Sequence, residues 1–182
     1  DGKAAPKTLY RYCLNPDSKD LHRSTVGIVG LGAVGRQISK RLHFGFDCKC
    51  IYFNGEGKQR KAYDTQYGAS MSASLDALLK ESDFVIAICP LTDNNKHMFN
   101  ERAFRMMKKD AVFINVGRGG LCDHAALMKA LKEGWIGAAG LDVQDPEPLP
   151  SEHELWNLPN CTILPHIGSS TRRTRESMVD TA

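Results

Sequence analysis

No apolar run in the chain exceeds six residues, the longest being Phe84 to Cys89, whereas a helix needs roughly 20 apolar residues to cross a bilayer. A membrane-spanning helix is therefore not expected. There is no Cys-x-x-Cys pair either. The six cysteines are scattered, and the closest two, Cys48 and Cys50, have a single residue between them, so neither a zinc centre nor a dithiol redox centre is expected. They read as free, mostly buried thiols, which suits a reducing compartment, with the cytoplasm as the expected location. Nor is there an excess of one charge. With 24 basic residues against 21 acidic ones, the net charge of +3 is too small and too dispersed to point to nucleic acid or a membrane surface, and a small-molecule ligand is expected instead. No repeat recurs at a fixed period, and only Asp145-Pro-Glu-Pro-Leu-Pro150 is compositionally simple. Asp1 opens the chain without an apolar signal segment behind it, so the sequence is expected to be a piece of something longer.

What is present is a core and a rhythm. At 182 residues and 42% hydrophobic content, the chain has the apolar material for one globular domain. Residues 1–24 are polar and irregular, with Pro6 and Pro16, and read as an arm or linker; its Tyr10 and Tyr12 are an interface or simply cover the domain's flank. Residues 25–182 then alternate. Strands are expected at Thr25–Val29, Lys49–Phe53, Phe84–Cys89, Ala111–Val116 and Ile136–Val143. Helices are expected from Ala33 to Phe44, from Leu75 after a Ser74 cap, from an Asn100 cap through Met107, and from Ala125 to Lys132 after an Asp123 cap. Strands that are apolar along their length and separated by helices indicate a parallel sheet covered on both faces, a doubly wound α/β fold.

Gly30-Leu-Gly32-Ala-Val-Gly35 falls between the first strand and the first helix, where a dinucleotide-binding fingerprint belongs. In that setting Gly30 permits the tight turn, Gly32 lets the backbone approach a pyrophosphate, and Gly35 lets helix and strand pack closely. The free N–H groups of the helix start, Ala33 and Val34, would then meet the phosphates. The end of the second strand separates NAD from NADP, because an acidic side chain there holds the ribose 2′-hydroxyl, whereas a 2′-phosphate wants cations. Asn54 stands at that point, followed by Lys58, Arg60 and Lys61, which favours NADP. Glu56, between two glycines, keeps NAD open, and the basic cluster can equally be a solvated face.

Three further segments carry residues with useful chemistry: Asn115-Val-Gly-Arg118, Asp145-Pro-Glu147-Pro and Leu164-Pro-His166-Ile-Gly-Ser169. Ligands of doubly wound sheets lie at the strands' carboxyl ends, and each segment is expected to begin there. Reduction of a 2-keto acid needs a cation for the carboxylate and carbonyl oxygen and an acid to protonate that oxygen; Arg118 and His166 can supply these. A carboxylate beside the imidazole would orient it and favour its charged form, and Glu147 is the candidate. Singly, each has an ordinary reading as a surface arginine, a solvated glutamate or a packed loop histidine. Together they are harder to dismiss.

From about Thr25 onward the sequence resembles the cofactor domain of the D-isomer-specific 2-hydroxyacid dehydrogenases. The resemblance rests on Val26-Gly-Ile-Val-Gly-Leu-Gly, Met107-Lys-Lys-Asp-Ala-Val-Phe-Ile-Asn-Val-Gly-Arg-Gly, Ala139-Gly-Leu-Asp-Val with Pro146-Glu-Pro-Leu-Pro150, and Leu164-Pro-His-Ile-Gly-Ser169. It implies that Arg118 binds substrate, Glu147 partners the histidine, His166 donates the proton and Asp142 lies near the nicotinamide carboxamide. It further implies that Pro90 and Val116 line the cofactor and that Gly168 lies at the substrate carboxylate. Leu14 to Arg23 is less typical of the family. The implied activity is reduction of glyoxylate or hydroxypyruvate to the D-2-hydroxy acid with NADPH or NADH, in a homodimer. The implied substrate domain has no counterpart in this chain, so little turnover is expected of it alone. Transcriptional corepressors related to this family keep the fold and much of the site, leaving a dinucleotide-sensing module as the alternative.

Overall fold

In a computed structural model, residues 19–55 and 64–180 are described. Seven strands form one sheet: β1 (Thr25–Val29), β2 (Lys49–Phe53), β3 (Ala69–Met71), β4 (Phe84–Ala87), β5 (Val112–Asn115), β6 (Ala138–Leu141) and β7 (Cys161–Ile163). All pairings are parallel, and the order is β3-β2-β1-β4-β5-β6-β7. The chain runs outward one way from β1, then returns to start the other half at β4. That reversal leaves a crevice at the strands' carboxyl ends.

The helices are α1 (Ala33–Phe46), α2 (Asp64–Tyr67), α3 (Leu75–Glu81), α4 (Glu101–Met106), α5 (His124–Lys132) and α6 (Arg172–Val179). Successive strand residues point to opposite faces, and both faces are covered. Val29, Ile51, Val85, Ala87 and Phe113 join one apolar cluster with Phe104 of α4 and Leu127 of α5. Ile28, Cys50, Tyr52 and Ile86 join a second one, against which Ile38 and Leu42 of α1 pack. Uninterrupted apolar strands are the sequence trace of this double coverage.

The caps expected at Ser74, Asn100 and Asp123 all form, each side chain accepting the backbone N–H three residues on, at 3.1 Å. Boundaries differ in places. Helix α1 runs on to Phe46 and ends at Asp47 in the left-handed conformation (φ 55°). Strand β4 ends at Ala87, and two residues on Cys89 lies against the glycine loop, where a Cβ at Gly30 would stand 2.8 Å from the Cys89 nitrogen. Helix α2 and strand β3 were not anticipated, and β7 had no expected range of its own. Ala69-Ser-Met71 is too short and too polar to announce a strand, and its place is set by register with β2. The boundary expected at Ser24 adjoins the start of β1, and most of the arm lies outside the described residues. No helix among them is long and apolar enough to cross a membrane.

At the amino ends of the central strands, Asp83 collects three donors: Thr25 N–H (2.8 Å), Lys19 (3.0 Å) and Lys108 (2.9 Å). Burial by itself would raise the Asp83 carboxyl, but these hydrogen bonds overcome it and hold the group at about 2, against 3.8 ordinarily. A folded-state value below the unfolded one contributes stability above pH 3.8 that disappears as pH falls through about 2. After solvent screening the contribution is on the order of 1–2 kcal/mol. Asp83→Asn is expected to lower the thermal midpoint at pH 7 by roughly 3–6 °C and hardly at all near pH 2. A midpoint unchanged at pH 7 would remove this network from the stability account.

Candidate active site

The sheet register aligns the strand ends. Phe53, Val29, Ala87, Asn115, Leu141 and Ile163 are successive neighbours across β2, β1, β4, β5, β6 and β7. Most of the candidate residues among those described lie just past one of them. Asn54 follows β2, Gly30 follows β1, Pro90 is three residues past β4, Val116 and Arg118 follow β5, Asp142 follows β6, and His166 is three residues past β7. Glu147 lies farther out than the sequence reading placed it, six residues beyond Leu141 in a loop rather than at a strand end.

The glycine loop has the shape its motif requires. Gly30 takes φ 109°, and a Cβ there would stand 2.8 Å from the Cys89 nitrogen. At Gly35 a Cβ would lie 2.2 Å from Gly30 O, whereas at Gly32 it would meet nothing within 4 Å. Two glycines thus serve internal packing, and the third leaves backbone open toward solvent. Helix α1 begins there with no side-chain cap, unlike α3, α4 and α5, and with no acid in its first turn, unlike α3 and α4. Exposed, uncapped N–H groups at Ala33 and Val34 with a positive helix end suit an anionic diphosphate. The loop is anchored by Gly30 N–H to Phe53 O (2.9 Å) and by Leu31 N–H to Asn54 Oδ1 (2.6 Å). Asn54 therefore serves the loop itself. Glu56, Lys58, Arg60 and Lys61 lie outside the described residues.

Arg118 is presented by a buried asparagine. Asn115 is fully buried; its Oδ1 accepts Gly117 N–H (3.1 Å) and its Nδ2 donates to Arg118 O (2.9 Å). The arginine side chain is exposed, with Nη1 donating to Gly117 O (2.7 Å). No carboxylate pairs with it among the described residues, so its charge is available to a ligand. Pro90 is exposed and Val116 half-buried, the latter donating its N–H to Ala87 O (3.1 Å).

Glu147 and His166, 19 residues apart, meet: the Nδ1–H of His166 donates to Glu147 Oε1 at 2.6 Å. A carboxylate can only accept, so the hydrogen is on Nδ1 and Nε2 is the nitrogen left to exchange a proton. Both side chains are partly open to solvent. His166 is held at φ 55°, a strained conformation for a residue with a Cβ. Asp142 secures it: its Oδ1 accepts Ile167 N–H (2.8 Å) and its Oδ2 accepts Gly168 N–H (3.0 Å). Asp142 thus also braces the histidine loop. One residue that no motif marks is Gln144, 5% exposed, whose amide reaches the same loop at Leu164 O (3.1 Å).

Residues 11–168 match the family described as "D-isomer specific 2-hydroxyacid dehydrogenase, NAD binding domain". The chain is 44% identical over 167 residues to glyoxylate/hydroxypyruvate reductase B of Escherichia fergusonii, covering 91% of this chain and 51% of that protein. The structure of apo D-mandelate dehydrogenase from Rhodotorula graminis superposes with TM-score 0.88 at 29% identity, covering 97% of this chain and 51% of that one. A glyoxylate reductase from Paecilomyes thermophila gives TM-score 0.80 at 34% identity, covering 88% and 47%. The chain spans about half the length of the curated relatives it matches.

Proposed function

Since the chain belongs to the D-isomer specific 2-hydroxyacid dehydrogenases, as their NAD-binding domain, we propose that its full-length enzyme reduces glyoxylate or hydroxypyruvate to the D-2-hydroxy acid. The observation that carries this reading is the 2.6 Å histidine–glutamate pair, whose histidine stands in the same strand-end row as an open glycine cradle. Gly30, Gly32, Gly35 and the N–H groups of Ala33 and Val34 hold the dinucleotide's diphosphate, with Pro90, Val116 and Asp142 along its length. When bound, the reduced nicotinamide supplies hydride to the keto carbon. Arg118 pairs with the substrate carboxylate and steadies the developing charge on the carbonyl oxygen. His166 delivers a proton from Nε2 to that oxygen, while Glu147 holds Nδ1 and fixes the ring. Gly168 leaves room at the carboxylate.

NADPH is the proposed reductant. With Asn54 Oδ1 occupied by Leu31 N–H, the end of the amide left for a ligand is its NH₂ donor, which suits a 2′-phosphate better than a 2′-hydroxyl. Lys58 and Arg60 follow in sequence and would add charge. The working form is proposed to be a cytoplasmic homodimer, in keeping with five free cysteines among the described residues and with the prevalence of twofold dimers.

Side-by-side fluorescence titrations of the chain with NADPH and NADH test the cofactor half. NADPH is expected to bind about tenfold tighter, the worth of one good charge-assisted contact, and Lys58→Ala or Arg60→Ala is expected to erase the difference. Preference for NADH would transfer the ribose contact to Asn54 or Glu56. Binding of neither would sink the cradle assignment.

A further inference from the structure

Glu147 and His166 stand on two separate loops, both partly exposed, yet their contact is 2.6 Å. Something must hold the loops in register, and the chain just past β6 does so twice. Asp142 takes the N–H groups of Ile167 and Gly168, just after the histidine. Gln144 takes the carbonyl of Leu164, two residues before it, through Nε2 at 3.1 Å. His166 is bracketed between an acceptor and a donor, each matched to the backbone group it meets.

Gln144 has further contacts within its own loop and against the Arg118 loop. Its own N–H points at Glu147 Oε2, at a long 3.4 Å, and its Nε2 lies 3.5 Å from Leu141 O. Its carbonyl lies against Gly119, beside Arg118, where an added Cβ would stand 1.9 Å from Gln144 O. A buried amide is retained where its donors are met, and here they are met by the carbonyls of Leu141 and Leu164, at the neighbouring ends of β6 and β7. We propose that Gln144 is a positioning residue that keeps the Glu147–His166 pair aligned by tying the loop after β6 to the loop after β7. It rests on the reading above only for its effect on turnover.

Gln144→Met keeps the bulk and removes the donor. In the 182-residue chain, the proton between His166 and Glu147 is expected as an exchange-slowed ¹H resonance downfield of the amides, assigned by its loss in Glu147→Gln. It is expected to vanish in Gln144→Met while the unfolding midpoint moves by only a few degrees, about one hydrogen bond's worth. In the full-length enzyme kcat is expected to fall roughly 10- to 100-fold, as small misplacements of reacting groups do. The KM for hydroxypyruvate and the Kd for NADPH should stay within about twofold, because ground-state binding is untouched. A resonance absent from the wild type, or unchanged in the variant, overturns the proposal. So does a loss in which kcat, KM and Kd decline together with the midpoint, the mark of general loosening. Should Gln144→Met not fold, Gln144→Asn, whose shorter stem leaves Leu164 O out of reach, is read the same way. If the wild-type enzyme reduces no 2-keto acid, the functional reading fails, and the resonance still decides the role of Gln144.

Discussion

Replacing His166 by asparagine in the full-length enzyme is expected to lower kcat for hydroxypyruvate by about 10² to 10⁴, the usual worth of a positioned general acid. Asparagine keeps a polar side chain of similar reach and can adopt the left-handed backbone that His166 occupies (φ 55°) more easily than most residues. The loop held by Asp142 should therefore survive, and the Kd for NADPH should not change. The loss is expected in kcat and kcat/KM alike, since proton delivery from Nε2 matters in the transition state and not in the bound ground state. Wild-type turnover undiminished in the variant would remove His166 from the chemistry. Wild-type protein that binds NADPH and turns over none of hydroxypyruvate, glyoxylate or pyruvate would favour the dinucleotide-sensing module instead.

The second large effect separates two glycines three positions apart in one motif. Gly35→Ala places a Cβ 2.2 Å from the carbonyl oxygen of Gly30. The obstacle is backbone, so α1 must move off β1, at a cost of about 1–3 kcal/mol and with the cradle spread. Gly32→Ala adds a Cβ that meets no protein atom within 4 Å, at an ordinary φ of −77°. Its thermal midpoint is expected to stay at the wild-type value. Dinucleotide affinity is nonetheless expected to drop at least tenfold, because the methyl stands where the diphosphate must approach the backbone. A Gly32→Ala chain that binds NADPH like the wild type would place the diphosphate elsewhere. One that is destabilised as much as Gly35→Ala would show that the open face of Gly32 is not open.

Much of this was readable one residue at a time. The apolar runs at Val26–Val29 and Phe84–Ala87 could only be strands covered on both sides, and Ser74, Asn100 and Asp123 cap helices because a short polar side chain beside a free N–H has few alternatives. The turn, crevice and close-packing roles of Gly30, Gly32 and Gly35 follow from the absence of a side chain. Such features are local, and local physics suffices for them. Strand β3 escaped notice because three residues carry too little pattern, and Gln144 escaped because glutamine is ordinarily a surface residue with no motif to mark it.

The sequence by itself thus determined a doubly wound α/β domain, a glycine loop of dinucleotide-binding form at its first turn, and a short set of chemically capable residues: Arg118, Glu147 and His166. Only the tertiary structure decided that Glu147, six residues past its strand, returns to within 2.6 Å of His166, and that Asp142 and Gln144 bracket the histidine loop from either side. The reason is that side-chain type and periodicity are properties of a segment, whereas a contact between loops 19 residues apart depends on the register of β6 against β7, which forms only when the whole sheet does.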